Sequence, residues 1–176
     1  MEKKERIVYK IIVIGEELTG KSTFIRTFLN IHCNWNLKYL ETHYFTSEFE
    51  IKLSKSAIQR KGSREYSAFY RSAAGFLILF SLSDRYSFTC LESWFDLLSE
   101  LKINKINKVL IVGTKSDLTN KRQVSFEEVQ ELLSKYDLNY MELSANDSDQ
   151  IELALGILIN TIIFNSQSEL HKITNH

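Results

Sequence analysis

Apolar and polar positions along the chain alternate between a period typical of strands and a period typical of helices. The run Ile7–Ile14 is mostly apolar and rich in β-branched residues, which is typical of a strand buried within a parallel sheet. A helix is predicted to follow it over residues 22–31. Further strands are predicted at residues 45–53, 75–82, 108–113 and 139–143.

Three later helices are indicated by the apolar faces that they would bury. The second of them begins with Ser125, three residues before Glu128, which is the pattern of a capping box. The third is predicted over residues 149–164. The three faces consist of Phe88, Leu91, Trp94, Phe95, Leu98 and Leu101; of Val129, Leu132, Leu133 and Tyr136; and of Ile151, Leu155, Leu158 and Ile162.

The remaining segments are less regular. We expect a polar and aromatic loop over residues 33–44, a short strand at residues 56–58, and a basic loop with some helix over residues 60–71. Because strands and helices alternate, the predicted fold is α/β, with a mostly parallel, doubly wound sheet flanked by helices. Sheets of this kind bind ligands at the carboxyl ends of their strands.

The segment Gly15–Ser22 lies at such a position and fits the phosphate-loop pattern G-x-x-x-x-G-K-[ST] between a predicted strand and a predicted helix. The glycines allow the backbone to fold around a phosphate with its N–H groups pointing inward. Lys21 can reach the terminal phosphates, and the Ser22 hydroxyl can bind Mg²⁺. This segment therefore predicts phosphate binding.

Two further segments, residues 113–118 and 142–146, follow predicted strands at the same edge. A carboxylate such as that of Asp117 can accept two hydrogen bonds from guanine, whereas adenine offers no such pair of donors. The stem of Lys115 can pack on the face of the base, and a backbone N–H near Ala145 can bind the guanine carbonyl oxygen. Together with the phosphate loop, these segments predict a guanine nucleotide.

Composition excludes several other classes of protein. The chain has 176 residues and is 44% hydrophobic, so we expect one domain over residues 1–176. Lys+Arg and Asp+Glu both total 22, so no net charge attracts nucleic acid. The isolated Cys33 and Cys90 favour a reducing compartment, and we expect a cytoplasmic monomer. No run approaches ~18 apolar residues, so no transmembrane helix is predicted.

With these motifs in place, residues 7 to 165 resemble the Ras superfamily of small GTPases, and the segment Phe69–Gly75 followed by Ser83 and Asp84 is most similar to the Rab branch. The resemblance implies a P-loop NTPase fold that binds GTP or GDP, and protein effectors or regulators that bind through residues 33–71. It also implies Mg²⁺ ligands at Ser22 and Thr42. The implied nucleotide-binding residues are Glu17, Leu18, Thr19, Gly20, Lys21, Ser22, Thr23, Thr114, Lys115, Asp117, Ser144, Ala145 and Asn146.

The resemblance fails at the second switch, where the family has a D-x-x-G-Q segment whose Asp holds a water on Mg²⁺ and whose Gln positions the attacking water. An ungapped alignment puts Lys55 at the Asp and makes Gln59 the catalytic candidate, whereas an alignment through Glu65–Ala68 puts Gln59 at the Asp. The sequence leaves both alignments open. Either one lacks the carboxylate, because the first aspartate of the chain is Asp84.

Two other positions depart from the family. Glu17 stands where a small residue is usual, and a carboxylate there would repel phosphate oxygens and crowd an arginine finger. Thr42 is the best match to the threonine of the first switch, but few residues separate it from Lys55. We therefore expect guanine-nucleotide binding with weakened Mg²⁺ affinity.

The sequence thus predicts a switch or scaffold protein in which GTP hydrolysis is weak or absent. One alternative is an ordinary, catalytically competent Rab-type GTPase in vesicle trafficking or signalling. A kinase with a phosphate loop is the other alternative, but it gives no reason for Asp117 and its neighbours. Rab and Ras proteins usually end in prenylated cysteines, and we expect no lipid anchor on a chain that ends at His176.

Overall fold

The computed structural model describes residues 7–32, 41–45, 49–55, 64–103 and 108–174, and it describes side chains over residues 7–29, 51–55, 67–103 and 108–164. Its strands are β1 (Ile7–Ile14), β2 (Glu41–Phe45), β3 (Phe49–Lys55), β4 (Gly75–Ser81), β5 (Val109–Thr114) and β6 (Asn139–Glu142). These strands form one sheet in the order β2-β3-β1-β4-β5-β6. Five of the six are parallel, and β2 pairs with β3 in the antiparallel sense.

In the described part of the chain, six α-helices flank this sheet, so the predicted α/β fold is confirmed. They are α1 (Lys21–His32), α2 (Arg64–Arg71), α3 (Arg85–Thr89), α4 (Leu91–Glu100), α5 (Phe126–Ser134) and α6 (Ser148–Thr174). A short 3₁₀ turn, Thr119–Lys121, follows β5. The predicted capping box is present at the start of α5, where Glu128 N donates to Ser125 Oγ at 3.2 Å and Ser125 N donates to Glu128 Oε2 at 2.9 Å.

The core has two layers because the central strands are buried on both faces. Ile12 and Ile14 of β1 pack into the layer that contains α4 and α5, whereas Ile11 and Val13 pack into the layer that contains α1 and α6. Full burial of one such side chain contributes roughly 1.5–3 kcal/mol. The apolar run that predicted β1 is therefore explained by two buried faces rather than one.

The sequence-based prediction was wrong around β2. It placed a loop over residues 33–44 and a strand over residues 45–53, whereas the structure has a hairpin in which Thr42 lies opposite Leu53. The strand β2 is a short edge strand with several polar residues, and its hydrogen-bond partners come from β3 rather than from its own pattern. The predicted strand at residues 56–58 lies outside the described residues.

The helix predicted over residues 88–101 is divided at Cys90 into α3 and α4. The carboxylate of Asp84 accepts a hydrogen bond from Tyr86 N at 3.1 Å and so begins α3. The last helix extends beyond its predicted end at residue 164 and reaches Thr174. Its predicted stripe is confirmed, because Ile151, Leu155, Leu158 and Ile162 are all buried. Among the described residues, no helix has both the length and the apolar character needed to cross a bilayer.

Two glycines provide a matched test of this packing. A Cβ on Gly15 would lie 2.0 Å from the Leu79 carbonyl oxygen at a φ of +135°, whereas a Cβ on Gly156 of α6 would meet nothing within 4 Å. We expect Gly15→Ala to lower the free energy of unfolding by about 3 kcal/mol or more. We expect Gly156→Ala to raise it by roughly 0.5–1 kcal/mol, because alanine is the better helix former. Urea denaturation without added nucleotide measures both, and a Gly15→Ala protein as stable as the unmodified chain would contradict this packing.

Candidate functional site

Three loops meet at the carboxyl edge of the sheet, where the sequence predicted a ligand site. They are the phosphate loop (Gly15–Ser22) after β1, the β5 loop (Lys115–Leu118) and the β6 loop (Leu143–Asn146). A Cβ built on Gly20 would lie 3.5 Å from the Cβ of Ala145 and 3.8 Å from the Cβ of Thr114. The structure therefore brings the three predicted segments into contact.

Two threonine hydroxyls connect these loops. The Thr114 side chain is fully buried, and its hydroxyl lies 2.8 Å from the carbonyl oxygens of both Thr19 and Phe80, which share its single proton. The hydroxyl of Thr27 on α1 donates to the Ala145 carbonyl oxygen at 2.8 Å. A buried carbonyl that loses its donor costs roughly 1–3 kcal/mol, so these bonds hold the loops together. Thr114 thus positions the phosphate loop.

The backbone of the phosphate loop has an unusual conformation at three positions. Gly15, Leu18 and Gly20 have φ angles of +135°, +58° and +91°. Alternation between left-handed and right-handed residues turns backbone N–H groups toward one side, which forms a concavity that suits an anion. The free N–H groups at the start of α1 add to it. These features fit a nucleotide phosphate.

Leu18 is strained because it is not a glycine. A left-handed conformation costs a residue with a Cβ roughly 1–2 kcal/mol. The Leu18 side chain is 86% exposed, so burial of that side chain does not offset the cost. The surrounding hydrogen bonds maintain the loop shape in spite of this strain.

Lys21 lies inside the phosphate loop, and its side chain is buried. Its Nζ donates to the carbonyl oxygen of Gly15 at 2.8 Å, to that of Glu16, and to the hydroxyl of Thr19 at 3.4 Å. These three bonds use all three protons of the ammonium group. Burial lowers the pKa of Lys21, and the nearby charge of Lys55 lowers it further.

Lys55 is the last residue of β3, opposite Val13 of β1, at the same edge of the sheet. Its Nζ donates to Ser22 Oγ at 2.9 Å. The lone pair that a Ser22 hydroxyl would offer to a cation is therefore directed at an ammonium group. This arrangement agrees with the ungapped alignment, which put Lys55 at the position of the missing aspartate.

The described side chains around Ser22 and Lys21 are basic rather than acidic. Mg²⁺ is usually held by oxygen ligands that include one or two carboxylates. In the part of the chain that the structure describes, no group of three His, Cys, Asp or Glu side chains could hold a metal ion. The two ammonium groups of Lys21 and Lys55 are instead suited to phosphate oxygens.

Two carboxylates belong to the phosphate loop and differ in their environment. Glu16 accepts a hydrogen bond from the indole Nε1 of Trp94 on α4 at 3.2 Å. Glu17 is exposed and has no hydrogen bond to the other described residues. Both carboxylates counteract the lowering of the pKa of Lys21. The contact between Glu16 and Trp94 could not be predicted from the sequence, because no local signal joins two residues 78 positions apart.

The β5 and β6 loops carry the residues that were predicted to bind a base. Asp117 and Asn146 are exposed, Lys115 has a left-handed φ of +62°, and Ser116 N donates to the Leu143 carbonyl oxygen at 3.3 Å. In the β6 loop, Ser144 N donates to Gln150 Oε1 at 2.9 Å. The β5 and β6 loops are thus hydrogen-bonded to each other, and the Asp117 side chain stays exposed, where a ligand can reach it.

The other predicted site residues lie in three different settings. Thr23 is in the first turn of α1 and is partly buried. The backbone of Thr42 lies in β2, but its side chain is outside the described residues. Gln59 is outside them altogether. The predicted metal role of Thr42 and the predicted catalytic role of Gln59 therefore stay predictions.

Comparison with known proteins agrees with this site. A model of the Ras family matches residues 10–164. The chain is 33% identical to the Ras-related protein RABA5e of Arabidopsis thaliana, over 98% of this chain and 83% of that protein. It is 31% identical to the Ras-related protein Rab-11A of Dictyostelium discoideum, over 88% and 76% of the two chains. It is 28% identical to the Ras-related protein Rab-30 of Homo sapiens, over 82% and 75%.

Proposed function

This chain belongs to the Ras family as a Rab-like small GTPase, and we propose that it binds guanine nucleotide while hydrolysing GTP weakly or not at all. In this proposal it acts as a switch or scaffold more than as a catalyst. The observation that carries the proposal is the hydrogen bond of 2.9 Å from Lys55 Nζ to Ser22 Oγ. Members of the family bind GTP or GDP, generally with Mg²⁺.

A count of charges explains how nucleotide binding persists in this proposal. In the family pattern, Mg²⁺ contributes two positive charges and the nearby aspartate one negative charge, which leaves one positive charge beside the phosphates. The ammonium group of Lys55 contributes one positive charge at the same place. In this proposal Lys55 neutralises the phosphates about as well as the pair of Mg²⁺ and aspartate does in the family, and Lys21 adds to it by exchanging its hydrogen bonds to the loop for hydrogen bonds to phosphate oxygens.

The same substitution disfavours Mg²⁺. An ammonium group and a divalent cation ~4 Å apart repel by about 8 kcal/mol at an effective dielectric constant of ~20, and screening by water and the phosphates leaves about half of that, roughly 4 kcal/mol. That energy corresponds to a loss on the order of a thousandfold in Mg²⁺ affinity. In this proposal the Ser22 hydroxyl accepts a hydrogen bond from Lys55 instead of acting as a metal ligand.

In this proposal, weak hydrolysis follows from two charged side chains at the phosphate loop. The family mechanism needs a metal that bridges phosphate oxygens, a residue that positions water, and room for an arginine finger. Lys55 opposes the metal, and the exposed Glu17 carboxylate borders the phosphate loop, where it would repel the charge that develops in the transition state. We propose that these features slow the chemical step much more than they weaken binding.

Recognition of guanine is assigned in this proposal to the β5 and β6 loops. Asp117 accepts two hydrogen bonds from the base, Lys115 packs on the face of the base, and a backbone N–H near Ala145 binds the guanine carbonyl oxygen. The exposure of Asp117 supports this role, because its carboxylate can reach a ligand. We further propose that protein effectors or regulators bind through residues 33–71 and that the protein acts as a cytoplasmic monomer.

Asp117→Asn tests the assignment of the base. An amide in place of the carboxylate suits the altered ring edge of xanthine, so we expect the variant to prefer xanthosine diphosphate to GDP. Competition binding with the two nucleotides measures the preference. Equal affinity of the unmodified protein for ADP and GDP would exclude guanine selectivity.

The dependence on Mg²⁺ tests the role of Lys55. We expect EDTA to change the dissociation rate of GDP by less than about threefold in the unmodified protein, because Lys55 stands in for the cation. In Lys55→Asp, a restored carboxylate should make release at least about tenfold faster on chelation. The matched control is Lys55→Met, which removes the repulsion without adding a carboxylate and should weaken GDP binding with and without EDTA. A large acceleration by EDTA in the unmodified protein would contradict the proposal.

Single-turnover hydrolysis tests the catalytic half of the proposal. We expect little GTP to be converted by the isolated protein, and no strong acceleration by cytosolic extract as a source of activating protein. Glu17→Gly should raise the rate only slightly, because the metal site is still opposed by Lys55. Efficient hydrolysis by the unmodified protein in either condition would favour an ordinary Rab-type GTPase instead.

A further inference from the structure

Arg122 and Glu142 form a bidentate ion pair beside the proposed base site. Arg122 Nη1 donates to Glu142 Oε2 at 2.7 Å, and Nη2 donates to Oε1 at 2.6 Å. The side chains are 33% and 21% exposed, so water screens the pair only in part. Two parallel hydrogen bonds fix orientation as well as distance, which a single contact between charges would not do.

Arg122 is connected to the β5 loop through consecutive turns. Leu118 N donates to the Lys115 carbonyl oxygen at 3.0 Å, and Lys121 N donates to that of Leu118 at 2.9 Å. Arg122 N then donates to the carbonyl oxygen of Thr119 at 3.3 Å. Because these turns follow one another, a displacement of Arg122 would be passed back to Asp117.

Glu142 is connected to the β6 loop in a similar way. It is the last residue of β6 and directly precedes Leu143, whose N donates to the Gly113 carbonyl oxygen at 2.9 Å. Ala145 follows two residues later. The position of Glu142 therefore determines the position of the β6 loop and of its backbone N–H groups.

Additional contacts hold both ends of the pair in place. Arg122 Nε donates to the Val124 carbonyl oxygen at 2.7 Å, and the hydroxyl of Tyr140 donates to Glu142 Oε1 at 2.8 Å. The hydrogen bonds from Arg122 lower the pKa of Glu142, and those bonds raise the pKa of Arg122. Gly113 leaves room for the Tyr140 hydroxyl, which would lie 2.7 Å from a Cβ at that position.

We propose that Arg122 is a positioning residue that determines specificity: its pair with Glu142 holds the β5 and β6 loops at the spacing at which both can bind one guanine base. This inference rests on the proposed recognition of guanine by Asp117. If the spacing loosens, the phosphate loop still binds phosphate, but the two hydrogen bonds to Asp117 are no longer aligned together. The preference for guanine over other bases should then decrease more than the affinity of the phosphate loop for phosphate.

Comparison of GDP with inosine diphosphate tests the proposal, because hypoxanthine lacks the exocyclic amine that donates the second bond to Asp117. In Arg122→Gln we expect the Kd for GDP to rise about tenfold and the Kd for inosine diphosphate to rise less, by about threefold or under. The selectivity ratio, which is the Kd for inosine diphosphate divided by the Kd for GDP, should therefore decrease by about threefold or more. Glu142→Gln should lower this ratio by a similar factor. The double variant should lower it little further, because both changes break the same contact.

Arg85→Gln is the matched control, because it breaks an exposed ion pair with Glu128 and a hydrogen bond of 2.7 Å to the Gln123 carbonyl oxygen, next to Arg122, but leaves the pair of Arg122 with Glu142 in place. It should leave the ratio unchanged. Circular dichroism verifies folding, and Arg122→Lys, which keeps the charge but not the fork, replaces Arg122→Gln if that variant does not fold. A ratio within about twofold of the unmodified protein, or equal narrowing in Arg85→Gln, would overturn the proposal.

Failure of this inference is distinguishable from failure of the proposed function. If the unmodified protein binds GDP no better than ADP, the recognition of guanine itself is wrong. If it prefers GDP and the Arg122 variants keep the full preference over inosine diphosphate, only the role of the ion pair is wrong.

Discussion

The close approach of Gly15 to the Leu79 carbonyl oxygen is the constraint on which the rest of the site depends. There is no space for a Cβ between the end of β1 and its neighbour β4, so the phosphate loop leaves the sheet between two buried strands. Inside the loop, Lys21 donates a hydrogen bond to the Gly15 carbonyl oxygen. From β5, Thr114 donates one to the Thr19 carbonyl oxygen. Because several contacts fix the same backbone, the loop can retain a leucine at position 18 in a left-handed conformation.

Two basic side chains dominate the electrostatics of the phosphate loop. The ammonium group of Lys21 is buried inside the loop, and that of the partly buried Lys55 reaches Ser22 from β3, so both charges count for more than they would in water. The carboxylate of Glu16 is directed to the indole of Trp94 on α4. The site thus favours anions without relying on net charge, which is zero for the whole chain.

The base-binding edge combines accessible side chains with a restrained backbone. Asp117 is exposed, yet its loop bonds to Leu143 on one side and is followed by Arg122, which pairs with Glu142. A loop that is restrained before the ligand arrives loses less conformational entropy on binding. In the proposed recognition of guanine, the hydrogen bonds between the two loops therefore serve both affinity and selectivity.

The order of elements, the phosphate loop and the capping box of α5 were predictable from the sequence alone, because each depends on spacing within a few residues. The strand β2 was not, since an edge strand acquires its partner only through the sheet. The proximity of Lys55 to Ser22, 33 residues apart, depends on register, and a shift of one residue would turn Lys55 to the opposite face. Tertiary structure likewise decided the contacts of Glu16 with Trp94 and of Arg122 with Glu142, because pairs so distant in sequence meet only when strands and helices have packed.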